Sequence, residues 1–136
     1  MKAFTIYGEV ASKKNGKQIL YKWKGNKKVP FIANSDRYHK WNEDAKQQLM
    51  IQRNLTHGFS TNRCKIVLDF YYGTQINKDA DNGTSSIFDT LKDVGIIPDD
   101  NWHIIPTHLV HAYYDKLQPR VEIFIYDIDE HVIIEF

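Results

Sequence analysis

The run Cys64–Tyr72 constrains the fold more than any other segment. Cys64, Ile66, Leu68, Phe70 and Tyr72 alternate with Lys65, Val67, Asp69 and Tyr71, which is the two-residue period of a strand with one strongly apolar face. Such a face needs a covering layer, and two segments can supply it. Ser35 is a good N-cap for a helix running to about Asn54, with Tyr38, Trp41, Ala45 and Leu49 on one side. A polar turn over Asn77–Asn82 enters a second helix, roughly Gly83 to Val94. Asn82 is its N-cap, Ile87, Phe88, Leu91 and Val94 are its apolar stripe, and Gly95 followed by Pro98 ends it.

Further strands are expected over residues 3–10, about Trp102–Tyr114 and Arg120–Ile128, the last two joined by a turn at Leu117-Gln118-Pro119. Val29–Ala33 reads as a short extended piece that Pro30 places at an edge, and Gly16 and Gly25-Asn26 mark loop or hairpin turns. The pattern is α+β: residues 1–136 form a single small domain, a mixed, mostly antiparallel sheet with two helices packed on it. A chain of 136 residues is long enough for a hydrophobic core. No apolar run reaches the length of a membrane span, and Met1–Ser12 lacks the apolar block of a signal peptide. Cys64 is the only cysteine, which excludes an intrachain disulfide and a cysteine zinc site, so a cytoplasmic location is expected.

A net charge of +1 conceals a division along the chain. Residues 1–65 hold 14 Lys+Arg and 4 Asp+Glu, whereas residues 66–136 hold 4 and 13. A basic half can hold a polyanion and an acidic half can hold cations, or the two can neutralise each other across one surface. Seven of the lysines fall between Ser12 and Lys28, with no acid and with Tyr21 and Trp23 among them. Basic groups contact phosphates and exposed aromatics stack on unpaired bases; a solvated hairpin with its aromatics tucked into the core is the plainer alternative.

The acidic chemistry concentrates in Asp79-Ala80-Asp81-Asn82 and, after the second helix, Asp99-Asp100. At i, i+2 in extended backbone Asp79 and Asp81 project to one side. A helix and a short turn later, the chain can bring Asp99 or Asp100 back beside them. Two carboxylates about 4–5 Å apart repel by roughly 3–4 kcal/mol at an effective dielectric near 20, so a converging cluster calls for a shared proton or a cation. Hard oxygen ligands suit Mg²⁺ or Mn²⁺ rather than zinc. Taken alone, Asp-x-Asp-Asn is more often turn punctuation than a metal site. An EF-hand is excluded because the sixth-position glycine and twelfth-position glutamate are missing.

Lys78, Asp79-Ala80-Asp81-Asn82, Asp89-Thr90-Leu91 and Asp99-Asp100, in that order and spacing, resemble the core pattern of the RusA family of Holliday-junction resolvases. Ser12-Lys13-Lys14-Asn15, the basic loop after it and Ser35…Tyr38 extend the resemblance over nearly the whole chain. It implies a homodimeric, Mg²⁺-dependent endodeoxyribonuclease, with Mn²⁺ a possible substitute. Such an enzyme resolves four-way DNA junctions by paired symmetric nicks, leaving 5′-phosphate and 3′-hydroxyl ends. Family positions carry over as metal-binding and catalytic acids at Asp79, Asp81 and Asp100, and as DNA contacts at Lys13, Lys14, Asn15 and Lys78. The family's usual setting also implies a phage origin. One departure stands out: Ser85 occupies the position of the family's lysine in the first helical turn. It can hydrogen-bond to a phosphate but cannot offer it charge, and a non-cleaving or weakly active branched-DNA-binding protein is the alternative expectation.

Three lesser features have structural readings. Asp89 pairs with Lys92 at i, i+3. His108 and His111, three apart on a strand, face opposite sides, which argues against zinc. Cys64 packs in the core.

Overall fold

A computed structural model of the chain describes residues 1–12, 17–34, 36–75 and 82–128. The described residues form six strands and two helices in the order β1 (Lys2–Tyr7), β2 (Lys17–Lys24), β3 (Lys27–Asn34), α1 (Asp36–Leu55), β4 (Cys64–Tyr72), α2 (Asn82–Asp93), β5 (Thr107–Tyr114) and β6 (Arg120–Asp127). The main sheet runs β1-β6-β4-β5, and β2 and β3 form a separate two-stranded hairpin. β6 is antiparallel to both β1 and β4, whereas β4 and β5 are parallel. The fold is therefore α+β with a mixed, mostly antiparallel sheet, as the sequence pattern predicts.

The alternation in β4 is realised residue by residue. Cys64, Ile66, Leu68 and Phe70 are buried, and the intervening side chains are half-buried on the far face. Val121, Ile123 and Ile125 of β6 and Phe4 and Ile6 of β1 continue the apolar surface. The helices cover it with Tyr38, Trp41, Ala45 and Leu49 from α1 and Ile87, Phe88 and Leu91 from α2. Between the helices, Asn42 donates to the Thr90 hydroxyl at 3.2 Å, and Lys46 lies 3.8 Å from Asp93.

The two edges of the sheet are treated differently. At β1, the Gln52 side chain accepts the Thr5 N–H at 2.8 Å and donates to its carbonyl at 2.6 Å. Gln48 does the same for Tyr7, at 2.8 and 3.1 Å. Two amides one helical turn apart thus stand in for the next strand and close the edge. At the opposite edge, most of β5 is exposed, including Leu109, Tyr113 and Tyr114.

Two expectations need adjustment. The strand expected from Trp102 begins only at Thr107, because Asn101 Oδ1 accepts the N–H groups of His103 and Ile104 and its carbonyl accepts those of Ile104 and Ile105. That Asx-type turn satisfies the backbone locally. The extended piece at Val29–Ala33 is longer and paired, lying in the hairpin with Pro30 opposite Tyr21. Ser35 and Gly16 lie outside the described residues. Among those described, no helix is long and apolar enough to cross a membrane.

Candidate active site

α2 begins at Asn82, the residue that follows Asp81 in the chain. The glycine at its second position is required by packing. A Cβ at Gly83 would stand 2.8 Å from Cε1 of Phe70, so only glycine lets this end of the helix rest directly on β4. One turn on, the Ser86 hydroxyl, fully buried, donates to the Ala11 carbonyl at 2.9 Å. This bond fastens the N-terminal run that leads toward the basic hairpin to the same end of α2. Asp79, Asp81 and Lys78, and likewise Lys13, Lys14 and Asn15, lie outside the described residues.

Asp100 is described, and its position follows from backbone bonds around it. The Thr61 N–H donates to Ile96 O at 2.9 Å and the Cys64 N–H to Ile104 O at 2.8 Å. Residues 96–104 therefore flank the start of β4. Gly83 at the start of α2, by contrast, lies against Phe70 near the other end of that strand. β4 has 9 residues and α2 has 12, giving lengths of about 26 Å and about 16 Å. A helix and a short turn thus carry Asp100 away from the start of α2. The reason is the crossover: α2 joins parallel neighbours β4 and β5, so its two ends sit at opposite ends of the sheet. The expected meeting of Asp100 with Asp79 and Asp81 involves two residues outside the described set.

The two adjacent acids differ in employment. Asp99 Oδ1 accepts the Asp100 N–H at 2.8 Å, and its Oδ2 accepts the Asn101 amide at 3.2 Å. The Asp100 N–H, then the Asp100 side chain, the Asn101 amide and the Lys92 charge, hold the Asp99 carboxyl below its ordinary value. Asp99 is thereby committed to the turn. Asp100 is exposed and forms no ion pair among the described residues. No group of three His, Cys, Asp or Glu among the described residues is arranged to hold a metal.

A cavity of about 790 Å³ opens at the same end of the sheet, lined by Ser60, Thr61, Asn62, Arg63, His103 and Asp127. Arg63 Nε is buried there with no acceptor among the described residues. No sequence signal singled these residues out, because they come from three separated segments with no shared spacing.

Ser85 is half-buried on α2. Asp89 lies 4.0 Å from Lys92. His108 meets the Phe88 ring edge-on at 5.3 Å on the helix side, whereas His111 Nδ1 lies 2.8 Å from Asp69 on the other face. The two histidines thus point apart, as their spacing requires. Cys64 is wholly buried, and burial, with the Asp127 charge adding, pushes its thiol up to about 12.

The family model described as Endodeoxyribonuclease RusA matches residues 13–126, most of the chain. No curated protein matches it in sequence.

Proposed function

Because this chain belongs to the RusA endodeoxyribonuclease family, whose members resolve Holliday junctions, we propose that it cuts four-way DNA junctions by paired symmetric nicks with Mg²⁺ held by Asp79, Asp81 and Asp100. The chain is a nuclease of a generally divalent-metal-dependent family that acts on branched DNA; the choice of Mg²⁺, with Mn²⁺ as substitute, the symmetric nicking and the residue roles are this reading's own. Residues 1–136 constitute one endonuclease domain in this account. A cytoplasmic location, where a lone thiol stays reduced, and a phage origin belong to it too.

The observation that supports the reading is the solvent-exposed carboxyl group of Asp100 beside the turn-bound Asp99, at the position that the resemblance to the family gives its third acid. Ligands of one Mg²⁺ lie within roughly 4 Å of one another. Asp81 is one residue from the start of α2, and Asp100 lies beyond its other end. Each metal site therefore takes Asp79 and Asp81 from one chain and Asp100 from a second, and a homodimer makes two such sites related by symmetry. The open edge of β5, with its exposed tyrosines, supports association of a second chain.

In the reaction a water attacks phosphorus, the bond to the 3′ oxygen breaks, and 5′-phosphate and 3′-hydroxyl ends result. A bound divalent cation supplies Lewis acidity, activating water and offsetting charge on the phosphate. Lys78 positions the backbone beside the acids, and Lys13, Lys14 and Asn15 hold the flanking strand. Two cuts placed symmetrically follow from two equivalent sites on one dimer.

A labelled synthetic four-way junction tests this directly. The expected result is paired nicking that requires Mg²⁺, stops with chelator and is lost in Asp81→Asn. Ser85 favours a second reading, that of a protein which binds the junction without cutting. Tight, salt-sensitive binding with no nicks in any divalent cation would establish that instead.

A further inference from the structure

The hairpin of β2 and β3 stands apart from the core. Every side chain from Ile19 to Lys28 is exposed, and so are Pro30, Phe31 and Ile32. Its strands pair from Lys17 opposite Asn34 to Lys24 opposite Lys27, closed by Gly25 at φ 64° and Asn26. With Gly25 in the first turn position and Asn26 outside the left-handed region, this is a two-residue turn whose twist matches that of the flanking strands. Eight residues per strand reach about 23 Å.

Cross-strand partners share a face. One face carries Ile19, Tyr21 and Trp23 with Lys28, Pro30 and Ile32. Trp23 is 72% exposed and Tyr21 58%, so the aromatics do not tuck into the core. Lys28 Nζ lies 4.9 Å from the centre of the Tyr21 ring. Residues 17–34 contain five lysines and no acid. A two-stranded ribbon with an uncovered apolar face has little stability of its own in water, and the cover must be polyanionic as well as flat. Protein interfaces deplete lysine at their centres, whereas on this face Lys28 stands directly opposite Trp23 and over the Tyr21 ring. Nucleic acid with unpaired bases matches both properties, offering phosphates to the lysines and base planes to the rings.

Resting on the resolvase reading above, we infer that this hairpin is a branch-point probe. Tyr21 and Trp23 stack on bases unpaired at the centre of the junction, Lys28 holds a phosphate on that face, and Lys22, Lys24 and Lys27 hold phosphates of the strand passing the opposite face. The Ser86–Ala11 bond roots the run leading to the hairpin at the end of α2 that Asp81 precedes, so recognition of the branch and cutting near it are coupled through the first turns of one helix.

The test uses the full chain, without Mg²⁺, on a synthetic four-way junction carrying 2-aminopurine at the branch and on a linear duplex of the same sequence. The unsubstituted protein is expected to prefer the junction and change the 2-aminopurine signal. Tyr21→Ala with Trp23→Ala should weaken junction binding about 10- to 100-fold with duplex binding unchanged and the branch signal lost, and Trp23→Phe should retain most of the preference. Gln at the four lysines should weaken both substrates and flatten the salt dependence. An aromatic double variant that binds the junction as tightly as the parent overturns the inference alone. So does one that sediments as a monomer where the parent is a dimer, because the face would then be a protein interface. A parent with no preference for the junction overturns both the inference and the resolvase reading.

Discussion

Gly83 of α2 rests against the ring of Phe70 in β4, with room for no Cβ between them. Alanine is about 1 kcal/mol the better helix former, so propensity alone would make Gly83→Ala stabilising. Overpacking against a buried ring on a central strand costs more. The expected net effect is a loss of about 1–2 kcal/mol in chemical denaturation, together with reduced nuclease activity, because the start of α2 is displaced. A variant as stable as the parent would show that Phe70 yields without cost.

The glutamines on α1 make a different kind of contact. Gln52 satisfies both backbone groups of Thr5, so Gln52→Leu leaves a donor and an acceptor of β1 without partners. A loss of about 1–3 kcal/mol is expected, with faster amide exchange at Thr5 and a greater tendency to aggregate through the uncovered edge. Exchange measured by NMR reads the local effect separately from global stability.

Much of this architecture is legible in the sequence, and for a definite reason. β4, α1 and α2 announce themselves because Cys64–Tyr72 alternates and Tyr38, Trp41, Ala45 and Leu49 recur at helical spacing; periodicity reports which face an element buries. Periodicity does not report the neighbour a strand pairs with. That β4 lies parallel to β5, and hence that α2 separates Asp100 from Asn82, depends on the crossover and not on any local pattern. The same limit applies to the hairpin: seven lysines with Tyr21 and Trp23 mark an unusual segment, yet only its separation from the main sheet shows the aromatics exposed. The misplaced start of β5 came from Trp102, Ile104 and Ile105, which look like strand until Asn101 is seen to tie their backbone into a turn.

Cys64 gives a pH-dependent expectation. Burial pushes its thiol up to about 12, while an unfolded thiol ionises near pH 8.5. The folded state keeps the proton where the unfolded state loses it, so the contribution to stability is complete below pH about 8.5 and declines as pH rises from there toward about 12. At pH 9 the native protein should resist a thiol reagent, reacting only at the rate of its opening, whereas denaturant should make the reaction immediate. Rapid labelling of the folded chain would contradict the burial of Cys64.

Ser85 bears on turnover. If charge at this position stabilises the scissile phosphate, Ser85→Lys should raise the rate of junction cleavage on the order of tenfold or more while leaving the metal requirement unchanged. The half-buried setting of Ser85 requires the lysine stem to run along the helix with its ammonium in solvent. Single-turnover cleavage separates this effect from tighter binding; an unchanged rate would assign the charge to Lys78 or Lys92 instead.

Complementation between two inactive variants addresses the shared metal site most directly. Asp81→Asn and Asp100→Asn should each abolish cutting when made alone. Co-expressed, they form mixed dimers in which one site carries both substitutions and the other carries neither. The expected result is Mg²⁺-dependent nicking of a single strand of the four-way junction by the mixture. A mixture as inactive as its components would place all three acids in one chain and contradict the two-chain site.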